Sequence, residues 1–137
     1  MARILGIDHG NRRIGLAISD PMKIIARPLK TITYLQQPDV FHSLQDIIQS
    51  KSVEEIIIGL PRGMDGRDTA QTKVVLNFAE KLKRQLHIPV KLIDERLSSV
   101  SAEKVLIQQN IKTGYNKEKI DETAAAIILQ HYLETKR

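Results

Sequence analysis

Cysteine and tryptophan are both absent from the 137 residues, and three tyrosines and two phenylalanines are the whole aromatic complement. Without cysteine there is no disulfide framework, no thiolate zinc site and no cysteine nucleophile, a usage that fits the cytoplasm. Long apolar runs are missing as well. Ile4-Leu5-Gly6-Ile7 is interrupted by Asp8, too short a stretch for a signal peptide or a membrane span. With so few rings, a bound nucleic acid would be held by its phosphates rather than by a stacking platform. What is present is ordinary globular composition, 42 % hydrophobic and 27 % charged, and residues 1–137 suffice for a single domain with a real core. The 21 Lys and Arg exceed the 16 Asp and Glu by enough to leave a net charge of +5. That balance suits a polyanionic partner and equally a solvated basic surface.

The pattern along the chain divides into a meander followed by alternating strands and helices. Arg3 to Asp8 and Ile14 to Ser19 read as strands joined by a His9–Arg13 turn. A third strand falls between Ile24 and Tyr34, where Pro28 argues for an edge position or a break. After Pro38-Asp39 the apolar residues Val40, Phe41, Leu44, Ile47 and Ile48 recur at helical spacing. Glu55 to Gly59 is a buried strand, and Asp68 or Thr69 caps a long helix that Pro89 ends. Val90 to Asp94 is a fifth strand. Ser98 or Ser99 caps a further helix to about Gln109, Lys112 to Asn116 is a turn-rich gap, and Ile120 to Leu133 is helical. This order implies a mixed α/β sheet with helices packed on it.

Acidic residues stand at element boundaries. Asp8 ends the first strand and opens a turn bracketed by Gly6, Gly10 and Gly15, with Arg12 and Arg13 beside it. A buried acid is costly unless a cation or donors compensate it, and glycines such as Gly10 let a backbone or a phosphate approach closely. The bland alternative is a hairpin whose acid caps the turn. Asp94 and Glu95 end the fifth strand. Asp121 starts the last helix, followed by Ala124, Ala125, Ile128 and Tyr132 on one face. Asp121 and Glu122 could equally just complement the helix dipole, and periodicity does not choose between them. Converging carboxylates without cysteine suit a hard divalent ion, Mg²⁺ or Mn²⁺.

The stretch Gly59-Leu60-Pro61-Arg62-Gly63-Met64-Asp65-Gly66-Arg67 follows a buried strand directly. It is long for a plain connection, lacks the Gly-Lys-Ser/Thr of a P-loop, and carries arginines able to meet phosphate. Histidines contribute little: His42, His87 and His131 have no metal-ligand spacing, and His9 should point to the opposite face of the strand from Asp8. Ser98 and Ser99 have no histidine base near them in sequence and read as helix caps.

Four segments in order carry a family resemblance across essentially the whole chain. They are Gly6-Ile7-Asp8-x-Gly10-x-x-Arg13-Ile14-Gly15-x-Ala17, then Gly59-Leu60-Pro61 with Met64-Asp65-Gly66, Asp94-Glu95-Arg96-Leu97-Ser98, and Asp121-x-x-Ala124-Ala125-x-x-Ile128-Leu129. Together they resemble the YqgF family, relatives of the RuvC resolvases. The resemblance implies a ribonuclease-H-like mixed five-stranded sheet flanked by helices. It also implies a nuclease that matures the 5′ end of pre-16S ribosomal RNA or resolves Holliday junctions. Asp8, Glu95 and Asp121 match the family's acidic positions and would be the catalytic metal ligands, with Asp94 as the rival of Glu95. His9 and Arg62-Gly63 depart from the usual pattern.

The expectation is therefore a cytoplasmic, Mg²⁺- or Mn²⁺-dependent endonuclease, monomer or homodimer, acting on ribosomal RNA precursor with Arg13, Arg62 and Gly10 at the phosphates. Branched DNA is the alternative substrate. A phosphotransferase of the actin and sugar-kinase type would need a second such domain, and a non-catalytic RNA-binding module gains nothing from clustered acids.

Overall fold

The computed structural model describes residues 2–36, 39–63, 65–95 and 117–136, with backbone alone for 117–119. The helix expected from Ser98 to about Gln109 and the gap at Lys112 to Asn116 lie outside the described residues. Five strands form one sheet: β1 (Arg3–His9), β2 (Arg13–Ser19), β3 (Ala26–Thr33), β4 (Val53–Leu60) and β5 (Val90–Asp94), in spatial order β3-β2-β1-β4-β5. The first three are antiparallel neighbours, whereas β4 lies parallel to both β1 and β5. The sheet is mixed, as the sequence pattern implied. Parallel pairing brings the C-terminal ends of β1, β4 and β5 to one edge, beside the start of antiparallel β2. Pro28 sits on the outermost strand opposite Ala17, where the register shifts, so its missing N–H is accommodated at an edge irregularity.

Two helices cover one face. α1 (Val40–Lys51) starts at Asp39, whose carboxylate accepts the His42 N–H, and stops where Ser52 turns left-handed at φ 56°. α2 (Ala70–Leu86) starts with a reciprocal Thr69–Thr72 capping box and ends at His87, also left-handed, two residues before Pro89. Thr72 additionally donates its hydroxyl to the Pro61 carbonyl, fastening the glycine-rich loop to the helix start. The core on this side joins Leu5, Ile7, Leu16, Ile56 and Ile58 to Leu44, Val75, Phe78 and Leu82.

The opposite face is covered by α3 (Lys117–Thr135). Ile4, Ala17 and Ile57 pack there against Ala125, Ile128, Leu129 and Leu133. Ile57 thus faces one layer and its neighbours Ile56 and Ile58 the other, the reason this run is apolar throughout rather than alternating. Gly6 lets α3 lie close, since a Cβ there would stand 2.8 Å from the Leu129 Cβ. One expectation needs correcting. α3 begins at Lys117, so Asp121 lies about one turn inside the helix rather than at its start. The helix-dipole explanation for Asp121 loses force accordingly, because that effect fades beyond the first turn. Lys117, Glu118 and Lys119 are good helix formers, but they carry no apolar marker that would reveal the true start.

Candidate active site

Asp8 is buried, with 6 % of its surface exposed, on the face of the sheet that α3 covers. Its antiparallel partner on β2 is Gly15. On its other flank the β4 register runs Ile7 to Ile58, which brings Gly59 alongside Asp8. The carboxylate therefore rises between two positions without side chains, and each glycine underlies another element. The backbone carbonyl of Asp121 occupies the place a Cβ on Gly15 would take. At Gly59 a Cβ would stand 2.6 Å from the Ile128 Cδ1 and 2.8 Å from Oε1 of Glu95. The sequence marks Gly15 as bracketing the turn after Asp8 and Gly59 as opening the glycine-rich loop, but not which elements pack on them. A glycine inside an apolar strand was the signal for close approach of another group.

Alternation along β5 separates Asp94 from Glu95. Leu92 packs with the α1–α2 core and Ile93 with the α3 core, so Asp94 points to the α1–α2 side beside Leu60, its register partner. Glu95 follows the end of the strand and reaches back over Gly59 on the α3 side. Asp8, Glu95 and Asp121 are thus brought to one face and one edge of the sheet, and Asp94 is not.

Asp121 already has a cationic partner. Nε of Arg13 donates to its Oδ2 at 2.7 Å, a half-buried ion pair tying the first hairpin to α3. Glu122, the next residue, turns instead toward β3, where its Oε2 accepts from the Thr31 hydroxyl at 3.4 Å. Among the described residues no three carboxylate or imidazole groups cluster closely enough, as they stand, to hold one metal ion. Chemically the donor set still suits a hard ion: oxygen ligands alone, one of them buried.

The remaining predicted residues surround this edge. Gly10 donates its N–H to the Arg13 carbonyl at 2.9 Å and closes the β1–β2 turn. Arg62 lies 3.6 Å from Asp68 in a loose ion pair at the loop after β4. That loop is folded on itself, Gly63 donating to Arg67 and Gly66 to Gly63, both at 2.9 Å. Gly66 has φ 84°, a conformation that favours glycine. His9 points away from Asp8, as alternation required. Its ring lies 4.3 Å from that of Phe78, and its Nε2 is hydrogen-bonded to the Tyr34 hydroxyl at 2.8 Å. Burial holds its pKa down at about 4, so the imidazole is neutral.

A buried acid at the end of a central strand, with one acid following the end of β5 and another on the C-terminal helix at the same edge, stands on a mixed sheet of the kind nucleases use. Comparison with known proteins agrees. The RuvX family, described as Holliday junction resolvase, matches residues 2–135, and the chain belongs to that family. A candidate pre-16S rRNA nuclease of Maridesulfovibrio salexigens is 43 % identical over 131 residues, covering 96 % of this chain and 97 % of that protein. A protein of the same description from Desulforamulus reducens is 44 % identical over 133 residues, covering 97 % of each. Among solved structures, T. thermophilus RuvC in complex with a Holliday junction aligns with a TM-score of 0.59 at 14 % identity, covering 99 % of this chain and 96 % of that one. The fowlpox virus Holliday junction resolvase aligns with a TM-score of 0.52 at 13 % identity, covering 97 % and 99 %. At such identities the structural likeness concerns the fold, which is RuvC-like. No described helix is long and apolar enough to cross a membrane.

Proposed function

We propose that the chain is a metal-dependent endonuclease that hydrolyses a phosphodiester bond in the 5′ region of precursor 16S ribosomal RNA, in the cytoplasm. The observation that carries this reading is the position of buried Asp8 between Gly15 and Gly59, which underlie the Asp121 backbone and the Glu95 carboxylate. The RuvC-like nuclease fold generally works with divalent metal ions. Asp8, Glu95 and Asp121 would hold Mg²⁺ or Mn²⁺. Such an ion, when bound, activates a water and stabilises charge developing on the phosphate and leaving oxygens.

The chain's own residues do the rest. Asp8 offers carboxylate oxygens at the C-terminal end of β1 on the α3 side of the sheet, the donor type a hard cation takes. Arg13 supplies a positive charge to Asp121 in this state, and the same guanidinium lies at the edge where a phosphate must approach. Arg62 adds a second cation from the loop after β4, and Gly10 places no side chain of its own directly after the end of β1.

The test is to incubate the purified protein with precursor ribosomal RNA and with a four-way DNA junction, each with Mg²⁺ or Mn²⁺, and to map the cuts. Cleavage near the mature 5′ end, with the junction left intact, supports this reading. Symmetrical cuts in the junction alone favour the second reading, a resolvase of branched DNA, for which the family description speaks. That reading also requires two active sites facing two strands, and hence a symmetric dimer.

A further inference from the structure

On the face of the sheet away from Asp8, a cavity of about 520 Å³ opens between the β1–β2 hairpin, α1 and α2. Its volume lies within the range of roughly 300–1,000 Å³ usual for small-molecule sites. The chain has three tyrosines and two phenylalanines, and Tyr34, Phe41 and Phe78 all line this cavity together with His9. The rings form one connected wall: Phe41 stacks on Phe78 at 5.7 Å, and Phe78 lies against His9, which is joined to Tyr34. Scarcity does not keep the rings apart, because the fold gathers residues far apart in sequence.

The cavity is not lined like plain core. Asn11 on the hairpin and Asn77 on α2 bring amides, each with donor and acceptor, to a ring-lined space. Lys81, one turn beyond Asn77 on α2, adds a cation at the opening. Nδ1 of His9 is buried and has no hydrogen-bond partner among the described residues. Flat apolar walls with a few amide groups and a cation match the chemistry of a nucleobase attached to a phosphate.

Position connects the cavity to the acids. His9 follows Asp8 directly at the C-terminal end of β1, and the two side chains point to opposite faces. A strand crossing this edge can place one phosphate on the Asp8 side and a neighbouring unpaired base on the His9 side. We infer that this cavity is a nucleobase subsite, taking one unpaired base of the bound nucleic acid next to the phosphate at Asp8. The inference rests on the nuclease reading for its geometry, while base binding is measurable without cleavage.

The experiment measures affinity for a single-stranded oligoribonucleotide spanning the 5′ precursor junction, in EDTA, with an abasic nucleotide moved through each position in turn. Base stacking on protein rings changes affinity by about tenfold per base. For the wild-type protein one position should stand out, its abasic form binding about tenfold more weakly. Asn77→Ala, on the exposed side of α2, and Phe41→Leu, which retains an apolar side chain, should lose that sensitivity. Asp8→Asn should keep it. A flat profile across all positions, undiminished sensitivity in both variants, or no measurable binding overturns the subsite. Cleavage assays on the same RNA read the nuclease proposal separately. Sensitivity without cleavage leaves the subsite standing and removes the nuclease reading, and cleavage with a flat profile does the reverse.

Discussion

Nε of Arg13 stands 2.7 Å from Oδ2 of Asp121, joining the first hairpin to the last helix across 108 positions of sequence. The pair couples the two kinds of charge the proposed reaction uses, a cation for phosphate and an anion for metal. Separating them should have opposite consequences. Arg13→Ala frees the Asp121 carboxylate, so Mn²⁺ affinity measured by calorimetry without RNA should rise or hold. RNA affinity should fall across sequences, with a shallower salt dependence. A double-mutant cycle with Asp121→Asn should give a coupling of about 1 kcal/mol in stability, as for partly exposed ion pairs. Weaker Mn²⁺ binding by Arg13→Ala would place the arginine among the groups that support the metal rather than compete with it.

Two glycines offer a structural contrast. Gly15→Ala meets the Asp121 main chain, which can yield only if α3 moves. Overpacking of this kind costs about 1–3 kcal/mol, and a drop of several degrees in thermal midpoint is expected. Gly59→Ala meets two side-chain ends, the Ile128 Cδ1 at 2.6 Å and Glu95 Oε1 at 2.8 Å. Its thermal midpoint should fall less than that of Gly15→Ala, while cleavage should fall strongly because the Glu95 carboxylate is displaced. Equal cleavage by wild type and a folded Gly59→Ala protein would remove Glu95 from the site.

The end of β5 supplies a paired comparison. Glu95→Gln should nearly abolish cleavage, whereas Asp94→Asn, altering a carboxylate on the α1–α2 side of the sheet, should leave most of it. Rates measured at saturating metal on matched preparations decide the ranking. The reverse order would assign the metal to the other face.

Acid sensitivity should have a local source in the β2–β3 turn. Asp20 accepts the Ile25 and Ile24 N–H groups at 2.7 Å and that of Met22 at 3.1 Å. These bonds, chiefly that from Ile25, hold its pKa below the ordinary 3.8. A depressed carboxylate stabilises the fold above its unfolded pKa and loses that contribution as pH falls through the folded value. Thermal midpoints taken from neutral pH to about pH 2 should therefore drop less steeply for Asp20→Asn than for wild type. Parallel curves would show that the turn does not depend on the charge.

The succession of the five strands was legible because each β segment carries its own period and punctuation. Pro28 marked the edge strand, and the unbroken run Ile56-Ile57-Ile58 marked a strand covered on both faces. The start of α3 was not legible, since Lys117 to Lys119 offer propensity without periodicity. Nor could spacing choose between Asp121 and Glu122; only the docked helix shows one beside Arg13 and the other beside Thr31. The Arg13–Asp121 pair and the gathering of Tyr34, Phe41 and Phe78 depend on elements distant in sequence, which no local pattern encodes. A count of aromatics does not say whether they meet, and three of the five line one cavity.

Asp8→Asn bears most directly on the central claim. The substitution keeps the shape of the side chain and removes the charge that would hold a divalent ion. Cleavage of precursor ribosomal RNA in Mg²⁺ or Mn²⁺ should collapse, while the variant stays folded and binds the RNA in EDTA at least as tightly as wild type. Undiminished cleavage by folded Asp8→Asn protein would contradict the assignment of the site.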